Sequence, residues 1–184
     1  MSEAGAPPDR GPLIVTASLP PDLFAWADGL RRAHYPPERN RVPAHVTLFR
    51  ALPASAGAEL RQVLAAQAAR HAPIAGAVTG LLDLGQGTAL ALASPGLLAL
   101  REALADHFHG LLTAQDRPSP RLHLTIQNKV PPAQARSLQA RLRGEPIERR
   151  FAFVGLALQS YRGGPWEAAG SWSFRGRPAL KRGG

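Results

Sequence analysis

The chain has 184 residues, a length that suits one domain or two small lobes packed together. Its composition, 45% hydrophobic and 19% charged without any cysteine, is that of a globular protein and excludes disulfide scaffolds, cysteine-ligated zinc and thiol catalysis. A net charge of +9, carried almost entirely by arginine, favours an anionic partner such as a nucleotide or nucleic acid, although a GC-rich genome would also enrich a protein in Arg, Gly, Pro and Ala.

The two ends are predicted to be loose arms outside a single domain. Residues 1–12 are rich in Pro, Gly and Ala, and residues 175–184 contain four basic residues and no acidic one, a composition that is poor in core-forming side chains. The domain is therefore expected to span residues 13–174. Because the first residues contain no apolar signal-peptide core and the longest apolar run is interrupted, we expect a cytoplasmic protein without membrane association.

Strand and helix patterns alternate along the domain. Apolar runs bounded by proline predict strands at residues 13–19, 45–52 and 122–130, and helical spacing predicts helices at 22–34, 58–71, from Pro95 onward and at 133–143. A hairpin is expected over 74–93, one long strand over 151–161 and a short final strand at 172–174. The similar order of elements in each half suggests a duplication and predicts an α+β fold of two lobes that face each other.

A short motif occurs twice. His45-Val46-Thr47-Leu48 and His123-Leu124-Thr125-Ile126 share the order His, apolar, Thr, apolar, and both lie in predicted strands. Residues i and i+2 of a strand point to the same face, so each strand presents a histidine and a threonine together. Two such strands meeting between the lobes would bring two imidazoles and two hydroxyls into one cleft.

This set of groups suits phosphate ester chemistry. Imidazole titrates near neutrality, so one histidine can accept a proton from water while the other donates a proton to a leaving oxygen. The threonine hydroxyls can donate hydrogen bonds to the non-bridging phosphate oxygens. A ribose 2′,3′-cyclic phosphate fits this arrangement well, and the chemistry needs neither a metal nor another cofactor. The structural alternative is a duplicated domain in which the two histidines form hydrogen bonds across the interface.

With these motifs and this order of elements, residues 13–174 resemble the two-histidine phosphoesterase superfamily, in particular its 2′-5′ RNA ligase-like and cyclic phosphodiesterase branch. The resemblance implies a duplicated, bilobal α+β fold with a pseudo-twofold axis, in which two antiparallel sheets face a central cleft and the helices lie outside. It also implies hydrolysis of cyclic phosphodiesters, or in a few members the joining or splitting of 2′-5′ RNA linkages, without a metal. Carried over to this chain, it implies that His45 and His123 are the acid/base pair and that Thr47 and Thr125 bind phosphate. It leaves open which histidine is the acid.

Further residues are candidates for substrate binding. Gln127 and Lys129 would continue the face of His123 and Thr125, with a solvated strand end as the alternative, and Phe49 would lie on the face of His45, either stacking a base or packing in the core.

Tyr161, Arg162 and Trp166 surround the Gly163-Gly164-Pro165 turn, where a loop could cover substrate or simply close a hairpin.

These observations predict a phosphodiesterase that acts on RNA ends or small nucleotides as a monomer. An RNA-end-binding module with little or no turnover is the alternative, because the same cleft could bind phosphate without catalysis.

Overall fold

Two four-stranded antiparallel sheets and four helices form the molecule, whose computed structural model describes residues 11–178. The strands are β1 (Leu13–Ser18), β2 (Val46–Leu52), β3 (Ile74–Asp83), β4 (Thr88–Ala93), β5 (His123–Gln127), β6 (Arg149–Phe153), β7 (Gly155–Ser160) and β8 (Glu167–Ser173). The helices are α1 (Pro21–His34), α2 (Gly57–Arg70), α3 (Pro95–His107) and α4 (Pro132–Leu142). Short 3₁₀ turns follow β2 at Ala54–Ala56 and α3 at His109–Leu111.

The strand order is β2-β1-β7-β8 in the first sheet and β5-β4-β3-β6 in the second, with antiparallel neighbours throughout. This architecture confirms the predicted α+β fold of two sheets. The strands of the repeated motif, β2 and β5, are edge strands of different sheets and contact each other. The two motifs therefore meet where the two lobes meet.

The lobes do not correspond to the two halves of the sequence. The hairpin that follows each motif strand joins the opposite sheet: β3 and β4 pair with β5, whereas β7 and β8 extend the sheet of β2. Each lobe is consequently completed by strands that are distant in sequence, and both lobes must form before the cleft exists.

The long strand predicted over residues 151–161 is divided between the two sheets. Val154 separates β6 from β7: its N–H donates to the carbonyl of Ser18 (3.0 Å), and its own carbonyl accepts from the N–H of Phe174 (2.9 Å). The predicted single strand was wrong because a continuous apolar run does not reveal which neighbour each residue pairs with. The final strand also begins earlier than predicted, at Glu167.

Apolar side chains from the helices close the core. Leu60 and Leu64 of α2 and Leu97 and Leu104 of α3 are almost fully buried, and each such side chain contributes about 1.5–3 kcal/mol relative to an exposed position. Helix α2 packs on β7 and β8, α3 and α4 pack on the second sheet, and α1 lies along β5. Helix α1 thereby bridges the two lobes next to the motif strands.

The predicted arm 1–12 and tail 175–184 lie mostly outside the described residues. Described residues of both segments form hydrogen bonds with the domain. The carbonyl of Pro12 accepts from the N–H of Tyr161 (3.1 Å), and the N–H of Arg175 donates to the carbonyl of Ala68 (3.0 Å). Among residues 11–178, no helix has both the length and the apolar character needed to cross a bilayer.

Candidate active site

A β-bulge interrupts each motif strand directly after its threonine. Between β1 and β2, Thr16 pairs with Thr47 and Val15 with Phe49, so Leu48 is an extra residue. The register of β4 and β5 likewise leaves Ile126 as the extra residue between Thr125 and Gln127. The two motifs thus share a local backbone irregularity as well as residue types, as expected of related strands, and bulges of this kind redirect the side chains that follow them.

The bulges explain why two predicted cleft residues are buried elsewhere. Phe49 is 1% exposed and belongs to the hydrophobic core, which confirms the core alternative for this residue. Gln127 is also buried, and its Oε1 accepts a 3.4 Å hydrogen bond from the hydroxyl of Thr88. The prediction that both continue the face of the histidines was wrong, because one inserted residue moves the next side chain to the other face.

The two histidines have matching hydrogen bonds. Nδ1 of His45 lies 2.8 Å from the carbonyl oxygen of Pro43, and Nδ1 of His123 lies 2.7 Å from that of Arg121. A carbonyl can only accept, so Nδ1 carries the proton in both rings. In the neutral imidazole the lone pair is then on Nε2, the nitrogen that can exchange a proton with a bound molecule.

Both histidines and both motif threonines line one cavity of about 780 Å³ between the lobes, which we call the main cavity. Ligand sites commonly have volumes of about 300–1,000 Å³. The structure therefore brings together the four predicted residues His45, Thr47, His123 and Thr125.

Arginine dominates the charge of the main cavity. Five arginines line it: Arg31, Arg39, Arg50, Arg101 and Arg121. Among residues 11–178, Asp116 is the acidic residue of the lining, and its carboxylate accepts hydrogen bonds from the backbone N–H groups of Arg50 and Ala51 at 2.9–3.0 Å. The cavity is therefore strongly cationic and suited to a phosphate-bearing ligand.

Arg31 of α1 ties the two lobes together beneath the motifs. It is 3% exposed, and its guanidinium donates to the carbonyl of Thr125 (2.6 Å), the carbonyl of Val42 (2.8 Å) and Oδ1 of Asn40 (3.0 and 3.2 Å). It thus holds the backbone of one motif and the segment that leads into the other. Sequence reasoning missed Arg31, although its position on the buried face of α1, after Leu23 and Ala27, is a signal, because arginine is rarely buried without partners.

Arg101 of α3 lies at another wall of the main cavity. It is 1% exposed, its guanidinium lies 4.5 Å above the ring of Phe49, and its Nη2 donates to the carbonyl of Asp116. Its Nη1 lies 3.3 Å from Oε1 of Glu102, and its buried Nε has no hydrogen-bond partner within the described part of the chain. Sequence reasoning missed this residue as well.

The family model of the 2′-5′ RNA ligase superfamily matches residues 19–165. The chain belongs to this superfamily. Membership carries a phosphoesterase or ligase-like activity, in agreement with the resemblance inferred from the paired motifs. No curated protein matches the chain.

Solved structures share the fold of this superfamily member at low sequence identity. TT0787 of Thermus thermophilus has a TM-score of 0.63 and 17% identity, covering 91% of this chain and 100% of its own. LigT of E. coli in complex with 3′-AMP has a TM-score of 0.60 and 16% identity, covering 89% of this chain and 98% of its own. A structure described as a phosphoesterase has a TM-score of 0.58 and 17% identity, covering 90% and 98%.

The electrostatic surroundings keep His45 neutral. Burial lowers its pKa to about 4 even though the hydrogen bond to Pro43 raises it, and Coulomb interactions with Arg31 and His123 lower it further. At pH 7 the His45 ring is therefore a neutral base with its lone pair on Nε2.

The residues predicted around the last turn separate into two groups. Trp166 lines the main cavity, and its ring centroid lies 4.6 Å from that of His45. Tyr161 is exposed, and Nε of Arg162 lies 3.8 Å from Oε2 of Glu167. Both lie outside the lining of the main cavity.

Lys129 also lies outside the main cavity. It lines a shallow depression on the surface with Arg39 and Arg41, and its φ of 61° is in the left-handed region. The strand β5 ends two residues earlier, at Gln127, so Lys129 does not continue the face of His123. In the described range, no group of three or more His, Cys, Asp or Glu side chains is arranged to hold a metal ion.

Proposed function

We propose that this protein hydrolyses 2′,3′-cyclic phosphates at RNA ends or on small nucleotides, with His45 and His123 as the acid/base pair and Thr47 and Thr125 as hydrogen-bond donors to the phosphate. The observation that carries the proposal is the pair of histidines with the same Nδ1-to-carbonyl hydrogen bond on one arginine-lined cavity. Two groups able to move protons, in one cavity suited to an anion, are the groups that acid/base-catalysed displacement at phosphorus uses.

The lowered pKa of His45 suggests how the two histidines divide their roles in hydrolysis. His45, whose pKa is lowered to about 4, accepts a proton from water at Nε2 while the water oxygen forms a bond to phosphorus. Protonated His123 donates its Nε2 proton to the ribose oxygen as the bond between that oxygen and phosphorus breaks. The product is a ribose phosphomonoester, and transfer of one proton from His45 to solvent and one from solvent to His123 restores the starting state.

The cationic lining supports a nucleotide substrate. Arginines and threonine hydroxyls lower the energy of the charge that develops on the non-bridging oxygens. LigT of E. coli, which shares the fold, was crystallised with 3′-AMP and with NADP+. A 3′-monophosphate is one of the two products that opening a 2′,3′-cyclic phosphate can give.

The test is hydrolysis of cyclic nucleoside monophosphates and of RNA with a 2′,3′-cyclic phosphate end, with EDTA present. We expect His45→Ala and His123→Ala each to lower kcat by about 10²–10⁴-fold, the usual contribution of a general acid or base. His109→Ala is the matched control, because His109 is exposed, its Nδ1 donates to the carbonyl of Asp106, and neither residue lines the main cavity. Thr47→Val and Thr125→Val should also reduce kcat, since each removes one phosphate donor.

Full activity in either histidine variant would overturn the proposed roles. Salt-dependent binding of RNA ends by the wild-type protein without product formation would instead favour the binding module. An oligonucleotide with a 2′-5′ linkage, assayed beside the cyclic phosphates, tests the ligase-like reaction in its cleavage direction.

A further inference from the structure

A second cavity adjoins the main cavity at His45. Its volume is about 370 Å³, and Val42, His45 and Trp166 line both cavities. The second cavity lies within the size range of small-ligand sites. A molecule whose phosphate occupies the main cavity next to His45 can therefore extend past Trp166 into the second cavity.

The second cavity has the features of a site for a nucleobase. Most of its lining is apolar, and two aromatic side chains contribute to it, Trp166 and Phe24. Phe24 is 38% exposed although it is a large apolar residue on the first turn of α1. Stacking on exposed aromatic rings is a common and sequence-tolerant way to bind bases.

Polar groups complete this surface. Thr16 of β1 and Gln159 of β7, which are adjacent strands of the first sheet, also line the cavity. The amide of a glutamine can both donate to and accept from the edge of a base. These groups and the aromatic rings match the two parts of a nucleobase, its apolar face and its polar edge.

Arginine marks a route for the phosphate that would join two nucleotides. Arg41 lines the second cavity and the surface depression that contains Lys129, and Arg39 lines that depression and the main cavity. Arg39 and Arg41, on the segment that leads to His45, therefore border the main cavity, the second cavity and the surface depression. Arg39, Arg41 and Lys129 outnumber Glu38, an acidic residue that also lines the depression, and a row of cations is an arrangement that follows a nucleic-acid backbone.

We propose that the second cavity, with Phe24, Gln159 and Trp166 around it and Arg41 at its edge, binds the base of a second nucleotide. The preferred substrate is then an oligonucleotide that ends in a 2′,3′-cyclic phosphate, and not a cyclic mononucleotide. This inference rests on the proposed function, because it assigns the catalytic phosphate to the main cavity.

The experiment compares kcat/KM for a nucleoside 2′,3′-cyclic phosphate with kcat/KM for a dinucleotide that carries the same terminal cyclic phosphate. Stacking of one more base predicts that the wild-type protein prefers the dinucleotide by about tenfold or more. Phe24→Ala should bring this preference close to one, and Arg41→Ala should reduce it, most strongly at low salt.

Two exposed residues provide matched controls. Leu111 is an apolar side chain of similar exposure to Phe24, and Arg70 is an exposed arginine at the end of α2. Neither lines the main or the second cavity, so Leu111→Ala and Arg70→Ala should keep the wild-type preference. Circular dichroism of each variant confirms that it is folded.

The outcomes separate the two proposals. Equal kcat/KM for both substrates in the wild-type protein would overturn the second-nucleotide site and leave the proposed function in place. Turnover of neither substrate would overturn the proposed function, and the second cavity is then tested by calorimetric binding of the same two molecules. If the protein then binds the dinucleotide and Phe24→Ala does not weaken this binding, the second-nucleotide site is overturned.

Discussion

The buried side chain of Arg31 links the two motif segments. Its guanidinium donates to the carbonyls of Thr125 and Val42, so a single buried side chain fixes the backbone next to both motifs. The same charge disfavours a proton on His45, although burial is the larger cause of the low pKa of this histidine. Arg31 is thus expected to act as a positioning residue that also adjusts the base.

Two substitutions separate the charge of Arg31 from its shape. Arg31→Gln removes the positive charge, so the pKa of His45 should rise above about 4 while burial still holds it below 6.5. Arg31→Lys keeps the charge and loses the forked hydrogen bonds, so it should lower kcat while the pKa of His45 stays low. NMR titration of the His45 ring measures the pKa directly, without reference to any substrate.

Arg32→Gln is the control for this pair. Arg32 follows Arg31 on α1, but its side chain is exposed and lies 3.7 Å from Asp28, so its removal should leave the titration of His45 unchanged. If Arg31→Gln also leaves it unchanged, the charge of Arg31 has no part in keeping His45 neutral.

At the scale of elements, the bulges mark the limit of what the sequence could predict. Alternation in His45-Val46-Thr47 and His123-Leu124-Thr125 correctly placed four side chains on one cavity, because the period of two holds up to the threonines. The extra residues Leu48 and Ile126 then end that period. A bulge depends on pairing with a neighbouring strand, and the sequence of one strand does not contain that information.

The turn between β3 and β4 supports the end of β5 through a close approach of backbones. A Cβ added to Gly87 would clash with the carbonyl oxygen of Gln127 and would lie 2.7 Å from Cα of Asn128. Gly87→Ala must therefore push the end of β5 away, and we expect a loss of about 1–3 kcal/mol in the free energy of unfolding. Activity should fall too, since Thr125 is only two residues from Gln127. Urea unfolding measures the first effect.

Gly29 provides the opposite case on α1. A Cβ at Gly29 would contact nothing within 4 Å, so Gly29→Ala should raise the free energy of unfolding by about 0.5–1 kcal/mol through helix propensity alone. For Gly87→Ala, by contrast, a free energy of unfolding equal to that of the wild-type protein would show that the turn can move without loss of stability, against the prediction.

At the scale of the whole molecule, the site is built from positions that no local pattern connects. The five arginines of the main cavity come from α1, α3, β2 and two loops, so the net charge of +9 indicated an anionic partner without showing where the charge converges. Each sheet also combines distant strands. The motifs could be recognised because each consists of four consecutive residues, whereas the convergence of the arginines depends on the topology that joins the two lobes.

Because the cavity that buries His45 exists only in the folded protein, the titration of His45 makes the free energy of unfolding depend on pH in the acid range. In the unfolded chain its pKa is about 6.5, and in the folded protein it is lowered to about 4. Between these values the unfolded state binds more protons, so the free energy of unfolding falls as the pH decreases from 6.5 to 4. The pKa of Asp83 is also lowered, mainly by the hydrogen bond from the backbone N–H of Gly85. Protonation of Asp83 lowers the free energy of unfolding only below its ordinary pKa of 3.8, which is outside the range of His45.

Between pH 7 and pH 4, we therefore expect the free energy of unfolding to fall by about 3 kcal/mol more in the wild-type protein than in His45→Gln. The pKa difference of His45 between the folded and unfolded states corresponds to this free energy. Glutamine binds no proton in this range, so the variant lacks this contribution. Urea unfolding at half-unit steps of pH measures the difference. Gly29→Ala changes no titratable group, so its stability should run parallel to that of the wild-type protein across the range. Parallel curves for His45→Gln and wild type would show that His45 titrates alike in the folded and unfolded states, and the assignment of His45 as a neutral base would then lose its physical support.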